Sequence, residues 1–185
     1  MKDNRFLKNY TSYNLILIAV VSSLGIATKP IVVPLVHVVT GPLFIPGGAI
    51  AGGFYMFWMV LGMGLVRKKG TCILIGIVQS ILVISTGTMG THGVMSLVTY
   101  TVPGLAAEIV FLFSKNNQFN VMHYVLGCMA ANTSGTMISN MLFFRLPAVT
   151  VALILSCAAL SGALGGIIAS GIISGLEKMN IYLGE

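Results

Sequence analysis

Asn132, Thr136 and Asn140 recur every four residues in an otherwise apolar stretch, so on a helix they share one face, with Ser139 beside them. Amide and hydroxyl groups surrounded by apolar residues need partners, and two kinds are open: a neighbouring helix or a bound polar molecule. The regular stripe favours a cavity wall at Asn140 and interhelical bonding at Asn132. Gln79 adds a hydrogen-bonding edge, and Tyr100 and Trp58 add aromatic faces suited to a planar heterocycle. The run Phe54, Tyr55, Phe57, Trp58 reads equally as core or lipid-facing surface. His92 and Arg145, with His37 and Lys29 as companions, fall where polar loops begin and end, and would make a rim that is positive or neutral. Glu108 is different, a carboxylate within the apolar segment GLAAEIVFLF and only about 10 Å of helical rise from Lys115. A charge there is costly, so Glu108 is expected to be protonated or hydrogen-bonded to another helix, with a packing role preferred over a ligand contact.

The elements that must position these residues are membrane helices. Of the 185 residues 56% are hydrophobic and 8% charged, outside the range of soluble domains. The apolar runs are long and lack the alternation of barrel strands, so an all-α integral membrane protein is predicted. Six spans are placed at about 12–28, 47–66, 71–87, 94–113, 121–143 and 147–174, forming one compact domain over residues 1–185. The first run has no cleavage-site pattern and reads as a true span rather than a signal peptide. Lys2, Arg5, Lys8, Arg67, Lys68, Lys69, Lys115 and Lys178 would share one side, leaving Lys29 and Arg145 on the other, so both termini are expected to be cytoplasmic. The net charge of +6 is therefore a topology signal and not a nucleic-acid footprint. Lys29–Pro46 holds Pro30, Pro34, Pro42 and Pro46, which predicts a folded outer loop or half-inserted segment rather than a continuous helix. With Ser85–Gly93 it could close over a pocket open to the outside. Cys72, Cys128 and Cys157 have no paired spacing and read as packing residues.

Ala19, Ser23 and Ala27 put small side chains on one face of the first span, and Cys157, Ser161, Gly165 and Ala169 do the same in the sixth. Six spans in a short chain, a small-xxx-small first helix, a folded outer loop and no ATPase domain resemble the substrate-binding S component of an energy-coupling factor (ECF) transporter. The stretch Gly104–Phe113 is similar to the S components associated with thiamine or its hydroxymethylpyrimidine precursor. The resemblance implies capture of a vitamin or related micronutrient outside a prokaryotic plasma membrane. It also implies docking through Ala19, Ser23 and Ala27 onto a transmembrane coupling subunit (T component), with two ATPase subunits powering uptake. The outer halves of the spans and the outer loops hold no acidic residue, so a neutral pyrimidine or a carboxylate-bearing vitamin fits better than cationic thiamine.

Other classes find less support. No GxxxxGK[ST] pattern occurs, so ATP hydrolysis falls to other chains. No cofactor and no metal site are expected: His37, His92, His123 and Met89 form no HxxxH or CxxC pair. Nickel and cobalt S components carry a histidine directly after the initiator Met, where this chain reads Met1, Lys2, Asp3. A haem-specific S component would have to use His92 or Met89. A secondary transporter would have to use Glu108 as its coupling carboxylate. An enzyme would need a nucleophile and base that His123 and scattered serines do not supply.

Overall fold

Thr11 opens the first helix: its hydroxyl accepts the backbone N–H of Asn14 at 3.3 Å. In the computed structural model, which describes residues 10–43, 46–88, 92–114 and 118–179, six helices follow one another. They are α1 (Ser12–Thr40), α2 (Gly47–Val66), α3 (Thr71–Thr86), α4 (Ser96–Leu112), α5 (Val121–Ser139) and α6 (Ala148–Lys178). A 3-10 turn, Gly41–Leu43, joins α1 to α2, and a π-helical turn, Asn140–Phe144, extends α5. Met1, Lys2, Asp3, Arg5, Lys8, Met89 and Lys115 lie outside the described residues. Ser12–Thr40, Gly47–Val66, Gly93–Leu112 and Ala148–Lys178 are long and apolar enough to cross a membrane, and Thr71–Thr86 is apolar but shorter. The chain is a multi-pass, all-α membrane protein.

The largest departure from the sequence expectation is α1. It continues through Pro30 and Pro34 to Thr40, so Lys29–Pro46 is mostly helix and not a folded loop. Each proline removes one backbone hydrogen bond, whereas unwinding the segment among apolar surroundings would strand many. Ile31, Leu35, Val38 and Val39 on this second half of α1 are strongly exposed, as lipid-facing positions are.

Helix α2 lies at the centre. Of its apolar window 67% is buried, against 28% for α1, and it packs on α1, α3, α5 and α6, while α4 sits between α3 and α5. Glycines permit the closest crossings. A Cβ on Gly53 would fall 1.9 Å from the Ser161 carbonyl oxygen, and one on Gly165 would fall 2.2 Å from that of Gly53. The Ser161 hydroxyl closes this α2–α6 seam, accepting the Gly53 N–H at 2.9 Å and donating to the Ile50 carbonyl. The small-residue face of α6 is thus consumed by packing inside the chain. Ala19, Ser23 and Ala27 on α1 are instead all exposed.

At one end the bundle is filled. Met59, Val60, Met63, Phe111, Tyr124 and Cys128 are fully or almost fully buried there, and Phe111 meets Tyr124 edge-on with ring centroids 5.7 Å apart. At the other end it encloses a cavity.

Candidate functional site

The cavity has a volume of about 410 Å³ and lies between α1, α2, α4, α5, α6 and the π turn. Its polar wall comes from Lys29, His37, Tyr55, Thr99, Tyr100, Asn132, Thr136, Ser139 and Asn140, and its apolar wall includes Val33, Met56, Phe144, Leu146 and Ile154. Seven residues singled out from sequence, Lys29, His37, Tyr100, Asn132, Thr136, Ser139 and Asn140, meet here. For the α5 stripe the four-residue spacing is the reason: α5 turns one face inward, and Gly135 lies in the same wall.

The stripe divides by function along its length. Asn132 is committed to packing, because its amide donates to the carbonyls of Ala49 at 2.9 Å and Ala158 at 2.8 Å, tying α5 to α2 and α6. Thr136 and Ser139 line the cavity one turn further on. At Asn140 the helix widens into a π turn, closed by the Arg145 N–H donating to the Asn140 carbonyl at 2.8 Å, and the Asn140 side-chain oxygen accepts the Leu146 N–H at 3.1 Å. Such turns re-aim side chains at helix ends.

The other sequence candidates sit elsewhere. Trp58 donates its indole N–H to the Thr28 hydroxyl at 2.9 Å, joining α2 to α1. Gln79 is buried against α1, where its amide nitrogen would lie 2.3 Å from a Cβ on Gly25. His92 stacks on Phe143, ring centroids 4.2 Å apart, and burial, reinforced by the charge of Lys29, pushes its pKa below the usual histidine range. Arg145 follows the π turn in a left-handed conformation, φ 49°. None of these four lines the cavity.

Glu108 is also absent from the cavity wall. Its carboxylate accepts the backbone N–H of Gly70 at 2.5 Å and of Cys72 at 3.0 Å, capping the first turn of α3. The positive end of that helix and its unpaired N–H groups are what a buried carboxylate requires. His123, similarly, belongs to a capping box with Asn120 at the start of α5.

The feature that sequence reasoning placed wrongly is Lys29. Read as the first residue of a loop, it is instead within α1, with its ammonium over two ring faces, 3.9 Å from the centroid of Tyr100 and 4.4 Å from that of Tyr55. Tyr55 is held by its hydroxyl, which donates to the Gly48 carbonyl at 2.8 Å. Thr99 was missed altogether, although it directly precedes Tyr100. Its hydroxyl is buried and, among the described residues, has no hydrogen-bond partner. Among those residues no group of three or more His, Cys, Asp or Glu is placed to hold a metal ion.

The architecture has a counterpart among solved structures. A structure described as "Crystal structure of an S-component of ECF transporter" superposes with a TM-score of 0.76 over 93% of this chain and 88% of that one, at 19% identity, so the likeness is one of fold. No curated protein matches the chain. The sequence model of the family described as "ABC-type cobalt transport system, permease component" matches residues 13–134, more than half of the chain. With that match, and with helices arranged as in a transporter component, the chain belongs to the family of ABC-type cobalt transport system permease components.

Proposed function

We propose that the chain is the substrate-binding S component of an ECF transporter, taking up a vitamin or related small micronutrient, of pyrimidine or comparable size, across a prokaryotic plasma membrane. The observation that carries this is the cavity of about 410 Å³ with a mixed polar and aromatic wall, within the size range of small-molecule sites. The fold shared with a solved S component supports the same conclusion. The cavity end faces outward in this proposal, since Arg67, Lys68, Lys69 and Lys178 gather at the opposite end. The exposed Ala19, Ser23 and Ala27 face then serves as the surface that docks on the coupling subunit, while two ATPases on separate chains supply the energy.

The family description names cobalt, but a cation would meet the positive charge of Lys29 in this cavity and, among the described residues, no carboxylate, so an organic cargo fits better. A secondary transporter working through Glu108 fits poorly, because that carboxylate is engaged by the α3 N-terminus away from the cavity. Of His92 and Met89, the two ligands a haem-specific component would have to use, only His92 lies among the described residues, and its ring is stacked on Phe143 and does not line the cavity.

The test is copurification with the coupling subunit. The wild-type chain should be recovered with it, and Ala27→Trp should not, while binding its ligand as before. Recovery of Ala27→Trp at wild-type levels would overturn the docking assignment.

A further inference from the structure

We infer that the cavity is built for an organic anion, a small molecule carrying one carboxylate that pairs with Lys29 between the rings of Tyr55 and Tyr100; this rests on the S-component reading. Three observations converge. First, the charge of Lys29 is stabilised but not balanced. Tyrosine faces at 3.9 and 4.4 Å attract an ammonium, yet neutral rings leave the net charge in place. Second, among the described residues no carboxylate is at hand. Of the acidic residues among those described, Glu108 caps α3 and Glu177 pairs with Arg67, both away from the cavity. Charges withdrawn from water are ordinarily paired, so the missing partner is expected to arrive from outside. Third, the buried Thr99 hydroxyl in the same wall has no partner among the described residues. It can donate to a carboxylate oxygen or accept from a ligand N–H.

A single lysine, without an arginine fork in the cavity wall, matches one carboxylate rather than a phosphate dianion. The Thr136 and Ser139 hydroxyls remain to recognise the neutral body of the ligand. Cationic thiamine and a bare divalent metal ion would both enter a site of their own sign.

The test uses matched probes that differ only at the carboxylate, which is replaced by a neutral amide or alcohol: nicotinate and nicotinamide, pantothenate and pantothenol, biotin and biotin amide, with hydroxymethylpyrimidine, thiamine and Co²⁺ as neutral and cationic controls. Each is titrated into detergent-purified wild-type protein and Lys29→Met, with thermal shift and calorimetric affinity as readouts. The expected result is saturable binding of the carboxylate member of one pair, with its neutral partner weaker by roughly 10-fold or more. Lys29→Met should remove most of that preference without lowering the melting temperature of the ligand-free protein, and Lys29→Arg should retain part of it. The inference is overturned if the tightest binder is neutral or cationic, if Lys29→Met binds the carboxylate as wild type does, or if no carboxylate in the panel binds. The S-component reading stands or falls separately, on copurification with the coupling subunit, which requires no ligand.

Discussion

Glu108 and Lys29 are both ionisable side chains inside an apolar bundle, and they are treated in opposite ways. Glu108 receives two backbone N–H groups at the start of α3, so its hydrogen bonds are complete within the chain. Lys29 receives two aromatic faces and, among the described residues, no carboxylate. A charge whose partners all come from the fold maintains the fold. A charge held in position without a counter-ion is available for something that is not part of the chain. The contrast extends to the surroundings, because the Glu108 end is filled by Met59, Met63, Phe111 and Tyr124 and the Lys29 end is hollow.

Removing the capping carboxylate should have the largest effect. Glu108→Ala leaves two backbone N–H groups at α3 without acceptors and should cost about 3 kcal/mol of stability, read from thermal or denaturant unfolding in detergent. A Glu108→Ala protein of normal stability that had lost its ligand would reverse the roles assigned to the two residues. Lys29→Met is the converse variant. Replacing an unpaired charge with an apolar side chain of similar length should leave ligand-free stability unchanged or raise it by about 1 kcal/mol; a marked loss would mean that Lys29 holds the bundle together.

The smallest effect is on His92, which reports the charge of Lys29 from nearby. Burial first, and then Lys29, hold this imidazole below the usual range, so it is neutral at pH 7. Because the unfolded chain takes up the proton first, stability should fall as the pH drops below about 6.5, the ordinary histidine value. An NMR titration should give a His92 midpoint below that value in the wild type and a higher one in Lys29→Met. An unchanged midpoint in the variant would show that Lys29 carries no charge felt at His92.

Much of the scaffold was legible in the sequence because lipid imposes strict rules. Five of the six expected spans match helices closely, as 47–66 and 71–87 match Gly47–Val66 and Thr71–Thr86. The stripe on α5 was legible for the same reason, since polar residues at a spacing of four must share a face. The first helix was not, and the error spread. Proline content is a reliable helix-breaking signal in water, but among apolar surroundings Pro30 and Pro34 are accommodated within α1. Ending that helix at residue 28 put Lys29 in a loop and hid the most informative side chain in the cavity. Thr99 carried no signal of its own, because a lone threonine in an apolar run is ordinarily bonded to its own helix, as Thr133 is to the Met129 carbonyl. Trp58 and Gln79 were sound as residue types but face α1, and only the packing of α1 on α2 and α3 decides that.

In the proposed function this chain captures its cargo and other chains power its entry. The most direct measurement is uptake of the tightest-binding probe by cells producing the chain together with its coupling subunit and either active or hydrolysis-deficient ATPases. Uptake should require both the coupling subunit and ATP hydrolysis. Uptake that persists in cells lacking the coupling subunit or with inactive ATPases would contradict the account and identify an autonomous transporter.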